Sequence, residues 1–167
     1  MPTMPPLPPE ARAITEQIVG HQLLGASRAV RLINDVLVAL AEHDDSGSAS
    51  ALADRIRATS DYFIAVRGQT TPVVANAMDW LLDGLDVVTA GGHTAVQSWI
   101  ADRRRAFNDR SVANVATIAE AGANLLASAE TVFVYDYSSS VMAVLRRIAG
   151  CPAWWRSPIS TTRMRRP

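Results

Sequence analysis

The sequence predicts a mostly α-helical protein with one strand–loop–helix segment near its C-terminal end. Hydrophobic residues make up 49% of the 167 residues and aromatic residues only 6%, because alanine and leucine dominate the apolar set. Both are strong helix formers, as is arginine. Apolar residues also recur every three or four positions over long stretches, which is the helical period. One short stretch, residues 130–136, is instead β-branched and aromatic, as strands are.

The helical pattern begins at Pro9 and continues to about Glu42. Gly20 and Gly25 interrupt this pattern, so we expect two helices with a break around residues 20–22. A polar stretch with turn composition, residues 43–48, then predicts a loop.

The middle of the chain predicts two further helices. The first is expected from Ser50 to Thr59, with a stop and restart at residues 60–61; the apolar residues 62–66 alone would also suit a buried strand. The second should begin at Pro72, because proline favours the first helical turn. It should end at Asp83, and the face turned inward is expected to carry Val73, Ala77, Trp80 and Leu81.

Beyond a break at residues 91–93, two more helices are expected. The first covers Ala95 to Asn108 and includes an arginine-rich run, residues 102–105, predicted to lie on a solvated face. The second covers residues 111–128. A strand at residues 130–136, a loop at residues 137–140 and a helix from Val141 to Ile148 follow, in the order that opens an α/β sheet. One strand cannot form a sheet, so its partners come from elsewhere or the fold is incomplete.

These patterns divide the chain into four parts. Residues 1–8 are a proline-rich, disordered lead-in, residues 9–128 a helical domain, and residues 129–150 the start of an α/β domain. Residues 151–167 have no period and form an irregular tail. Out-of-frame translation explains this tail better than a tail that binds an acidic partner.

Composition narrows the classes of function. Sixteen basic residues balance sixteen acidic ones, which does not favour direct nucleic-acid binding. The single cysteine, Cys151, excludes an internal disulfide and suits a reducing cytoplasm. No stretch predicts a membrane span. The three histidines, at positions 21, 43 and 93, are too scattered to predict a metal site, and no cofactor motif is present.

Three segments in order resemble the translation initiation factor 2B α/β/δ family, which includes sugar-phosphate isomerases. Residues 21–30 (HQLLGASRAV) are similar to the family's early Gly-Ala-Ser turn, and residues 65–77 (AVRGQTTPVVANA) to its Arg-Pro-Thr-x-Val segment. Residues 118–145 follow the family's helix–strand–loop–helix order. The resemblance implies a helical N-terminal domain followed by a Rossmann-like α/β domain, of which most is missing here.

The resemblance also implies a site for a phosphorylated sugar or nucleotide. Arg67 is the first candidate, because a guanidinium offers phosphate a bidentate fork, and Thr70 follows it at a helix start. A structural hydrogen-bonding role for Arg67 is about equally favoured. The turn Gly25-Ala26-Ser27 would add backbone N–H groups, although a helix break for backbone reasons alone explains its glycine better than ligand binding does. Ser138 and Ser139 are candidates in the loop after the strand.

Catalysis is less well supported than binding. Asp136 occupies the position of the catalytic cysteine in the isomerases, and a carboxylate does not reproduce thiol chemistry. Tyr137-Ser138 instead resembles the regulatory subunits of the initiation factor. The leading hypothesis is a noncatalytic sugar-phosphate-binding protein that forms homo-oligomers in its full-length family. An aldose–ketose isomerase that uses Asp136, and a helical protein-interaction module, are the alternatives.

Overall fold

The computed structural model of the chain describes residues 3–20, 25–68, 71–129, 131–134, 138–149 and 164–165. Most of these residues are helical, which confirms the predicted fold class at the level of a mostly α protein. The elements are α1 (Pro9–Val19), α2 (Ala26–Glu42), α3 (Ala49–Phe63), a π-helical turn (Ile64–Gly68), α4 (Pro72–Leu82), α5 (Leu85–Thr89), α6 (His93–Leu125), β1 (Thr131–Val132), α7 (Ser139–Ala149) and β2 (Met164–Arg165).

The chain forms two compact units, residues 1–108 (the N-terminal unit) and residues 109–167 (the C-terminal unit). In the N-terminal unit, α2 packs against α1, α3 and α4. The buried side chains of α2 recur at helical spacing, and α3 and α6 supply further buried side chains. Members of this core that are at most 1% exposed include Ile33, Leu37, Leu40, Leu52, Ile56, Phe63, Val96 and Ile100. Each such side chain stabilises the fold by about 1.5–3 kcal/mol relative to exposure.

Local sequence explains where most of the helices begin. α1 and α4 start at Pro9 and Pro72, whose fixed φ suits a first turn. α3 is capped by Ser48, whose side chain accepts a hydrogen bond from the Ala51 N–H at 3.3 Å. Gly84 and Gly92 both have φ of +94°, a left-handed conformation that reorients the chain before α5 and α6. The predicted breaks at Gly20 and at residues 91–93 are confirmed, whereas His21 and Gln22 lie outside the described residues.

Two predictions about the segment from Ser50 to Val66 are wrong. α3 does not stop at Ser60, because the helix runs unbroken to Phe63. Thr59 satisfies its hydroxyl within the helix by donating to the Arg55 carbonyl at 2.8 Å, and Ser60 is fully buried on the face that packs into the core. The alternative of a buried strand at residues 62–66 is also wrong, since these residues end α3 and begin the π-helical turn.

The inward face of α4 differs from the predicted one. Val73 is 42% exposed, whereas Val74 and Met78 are fully buried. Ala77 and Leu81 are buried as predicted, and Trp80 is partly buried. The helix is therefore rotated by about one residue from the predicted orientation, because neighbouring side chains in a helix differ by roughly 100°.

α6 is one helix of 33 residues, not the two that the polar stretch around residues 108–111 predicted. No glycine or proline interrupts it before Gly122, so its backbone hydrogen bonds continue through the polar residues. The solvated face predicted for residues 102–105 is wrong for Arg103. Its guanidinium lies 3.9 Å from the ring centre of Trp80 and donates to the carbonyls of Trp80 and Leu81 at the end of α4.

In the C-terminal unit, the predicted strand at residues 130–136 is much shorter. Only Thr131 and Val132 are in a strand, and they pair antiparallel with Arg165 and Met164 of β2. Phe133 and Val134 are not in a strand, and residues 130, 135 and 136 lie outside the described residues. A strand extends only as far as its partner, and β2 has two residues. α7 packs its Val144 closely on Gly122 of α6.

The N-terminal lead-in has no regular secondary structure over residues 3–8, yet Leu7 is buried and belongs to the core. The Leu7 carbonyl accepts a hydrogen bond from Arg12 Nε at 2.9 Å, and the Pro6 carbonyl accepts one from Arg55 at 3.1 Å. Among the described residues, no helix combines the length and the apolar character needed to cross a membrane.

If α2 organises the core, Leu37→Ala should lower the free energy of unfolding by about 2–5 kcal/mol, because it leaves a cavity where the side chain is fully buried. Val87→Ala is the matched control, since Val87 is 78% exposed and its truncation should cost no more than about 0.5 kcal/mol. Urea denaturation followed by circular dichroism measures both. Equal losses in the two variants would contradict this assignment of the core.

Candidate functional site

The start of α2 carries the first group of predicted site residues. Gly25, which is exposed, precedes the helix with φ of +88°, and Ala26 and Ser27 form its first turn. Among the described residues, no side chain caps this helix, and no acidic residue lies in its first turn. The first N–H groups of a helix have no acceptor within the helix and lie at the positive end of its dipole. The start of α2 is therefore chemically suited to an anion.

Arg67 lies on the π-helical turn between α3 and α4, and it is only 8% exposed. Its carbonyl accepts a hydrogen bond from the Thr71 N–H at 2.9 Å, directly before α4 begins. Gly68 allows the turn to pack closely, since a Cβ at this residue would lie 3.3 Å from Ile64 Cγ2 and 3.7 Å from Ala75 Cβ. π-helical turns are rare and frequently occur at functional sites. Thr70, the neighbouring candidate, lies outside the described residues.

These two segments belong to the same unit. α2 packs against α3 and α4, and both of these pack against the π-helical turn. Residues 43–48 connect α2 to α3. Arg67 and the start of α2 thus belong to one unit, in which α3 and α4 contact both segments.

The candidate serines belong to the C-terminal unit, not to the unit that holds Arg67. The loop predicted at residues 137–140 is wrong for Ser139 and Ser140, which form the first turn of α7. Ser138 precedes the helix, and its hydroxyl accepts a hydrogen bond from the Val141 N–H at 3.4 Å. This geometry is that of a helix cap. Asp136 lies outside the described residues.

The structure also contains a buried polar cluster that sequence reasoning missed. The side chain of Asp44 is fully buried in the connection between α2 and α3. Its Oδ2 accepts hydrogen bonds from Ser46 Oγ at 2.5 Å and His93 Nε2 at 2.9 Å, and its Oδ1 accepts from Arg55. Because Arg55 also donates to Pro6, the cluster ties the lead-in, the connection, α3 and the start of α6 together. Asp44 and His93 are 49 residues apart, so no local motif indicates this contact.

The pKa of Asp44 is lowered from its ordinary value of 3.8. Burial alone raises the pKa, but the hydrogen bonds from Ser46 and His93 and the charge of Arg55 outweigh it. The carboxylate is thus a fixed acceptor for three donors. Ser46 donates to Asp44 and not to His93, so the three residues do not form a nucleophile–base pair. We interpret the cluster as structural.

Two further buried polar residues were also missed. Asn34 on α2 is 1% exposed and Ser60 on α3 is fully buried. The spacing of Asn34 from Val30 and Leu37, four and three residues away, is the signal that places it on the apolar face. Within the described residues, no group of three or more histidine, cysteine, aspartate or glutamate side chains could hold a metal ion.

A comparison with models of known protein families found a match. Residues 23–150 match the initiation factor 2 subunit family, and this range covers well over half of the chain. The chain belongs to the initiation factor 2 subunit family. The resemblance found in the three sequence segments is thereby confirmed at the level of the family. A comparison with curated proteins found no match.

The Asp44 cluster predicts a specific loss of stability. Asp44→Asn should lower the free energy of unfolding at pH 7 by about 1–3 kcal/mol, because it removes the charge that pairs with Arg55 and one acceptor oxygen of a buried side chain. Asp45→Asn is the control, since Asp45 is adjacent and exposed, and its effect should stay within about 0.5 kcal/mol.

The same variants test the lowered pKa. Because the folded-state pKa of Asp44 lies below 3.8, its stabilisation is fully present above that value and is lost as the pH falls through the folded-state pKa. The difference between wild type and Asp44→Asn should therefore shrink as urea denaturation is repeated from pH 7 down to pH 2. A difference that stays constant over this range would contradict the assignment.

Proposed function

We propose that this protein binds a phosphorylated sugar through Arg67 and the start of α2, and that it does not isomerise the ligand. The observation that carries the proposal is the position of Arg67, a buried cation on a π-helical turn that leads into α4. The family assignment supports the initiation-factor-like part of this proposal. A nucleotide, which presents the same phosphate chemistry, is the related alternative.

Two kinds of donor support phosphate as the recognised group. A guanidinium donates two parallel hydrogen bonds to phosphate oxygens, with its positive charge adding to their strength. The first N–H groups of α2, at Gly25-Ala26-Ser27, lie at the positive end of a helix dipole, which also favours phosphate. Both groups lie in the N-terminal unit, so the proposal requires no residue of the C-terminal unit. We assign Ser138 and Ser139 a secondary place in the proposal, because Ser138 already caps α7.

The noncatalytic part of the proposal depends on Asp136. In the isomerases that the sequence resembles, a cysteine stands at this position, and Cys151 is 15 residues further along. The alternative function is aldose–ketose isomerisation with Asp136 as general base, and it predicts that a ketose forms. Our noncatalytic proposal predicts instead that incubation with ribose 1,5-bisphosphate or methylthioribose 1-phosphate gives no ketose detectable by NMR. Ketose formation that Asp136→Asn abolishes would establish the isomerase instead.

We also propose that β1 and α7 correspond to the first strand and helix of the family's Rossmann-like α/β domain. The strand-then-helix order and the extent of the family match, which reaches residue 150, support this. Sequencing the encoding DNA beyond the codon for residue 150 tests it. Further strands and helices in another reading frame are the expected result.

Cytoplasmic location and homo-oligomer formation are also part of our proposal. We propose a cytoplasmic location because Cys151 is the single cysteine.

The central test is the affinity of Arg67 variants for ribose 5-phosphate. Arg67→Ala should weaken binding roughly 10- to 150-fold, which corresponds to a charged hydrogen bond of about 1.5–3 kcal/mol. Arg67→Lys should bind with intermediate affinity, because it keeps the charge and loses the fork. Isothermal titration calorimetry measures all three proteins, with ribose as the uncharged probe.

Arg105→Ala is the matched control for these variants. Arg105 lies in the same unit, is exposed and is paired with Asp102 on its own helix, so its loss should leave the affinity unchanged. Thermal unfolding of each variant separates lost affinity from lost structure. Wild-type protein that binds ribose 5-phosphate no better than ribose would exclude the proposal whatever the variants do.

A helical interaction module is the second candidate function, and exposed apolar side chains of the C-terminal unit favour it. Leu125 is 84% exposed, Phe133 68% and Val141 37%. Large exposed apolar side chains, where they form a contiguous patch, mark interaction sites. Such a module would show contacts between copies and no response to sugar phosphates.

Sedimentation velocity distinguishes this second function from the first. If the module hypothesis holds, the wild-type protein should associate at micromolar concentration, and Leu125→Glu should shift it towards monomer by placing a charge in the contact. Val87→Glu is the control, because Val87 is 78% exposed but lies in the N-terminal unit. A monomeric wild-type protein, or equal effects of the two substitutions, would argue against the module.

A further inference from the structure

We draw no further inference here: the strongest candidate, the set of apolar side chains exposed on α6 and beside β1 (Val112, Ile118, Leu125 and Phe133), is an unpartnered face, and nothing among the described residues shows what covers it.

Discussion

The buried face of α2 is the constraint on which the N-terminal unit depends. α1, α3 and α4 all pack against this helix, so its position fixes theirs. Ile33, Leu37 and Leu40 are fully buried, and the removal of such side chains from water is the dominant favourable contribution to folding. The same packing holds the start of α2 in place, since a helix is rigid along its axis. The proposed anion site at Gly25 is therefore held by a core that has no chemical role itself.

The elements that could be predicted from sequence are those that local chemistry determines. Pro9 and Pro72 begin helices through the fixed φ of proline, and Gly84 and Gly92 redirect the chain through their positive φ angles. The wrong predictions concern places where tertiary packing decides how far a helix extends or which of its faces is buried. α3 passes through Ser60 because the core continues past it, and α4 buries Val74 and not Val73 because α2 and α3 lie on that side. No single-residue preference carries that information.

The candidate site likewise combines residues that the sequence indicates with features that only the folded structure reveals. Arg67 was found because its segment resembles a family motif, and the family is now established. Its π-helical turn could not be predicted, since one inserted residue in a helix leaves no pattern in composition or period. The Asp44 cluster was missed for a different reason. Its donors, Ser46, Arg55 and His93, come from three segments that only the folded chain brings together.

The proposed anion site depends on Arg67 and on the starts of two helices in the same unit. The backbone of Arg67 adjoins the start of α4, where the helix dipole places a partial positive charge. A second positive end lies at α2, for which the part of the chain that the structure describes provides no side-chain cap and no acidic residue in the first turn. In our proposal, a phosphate would accept hydrogen bonds from Arg67 and from the first N–H groups of α2.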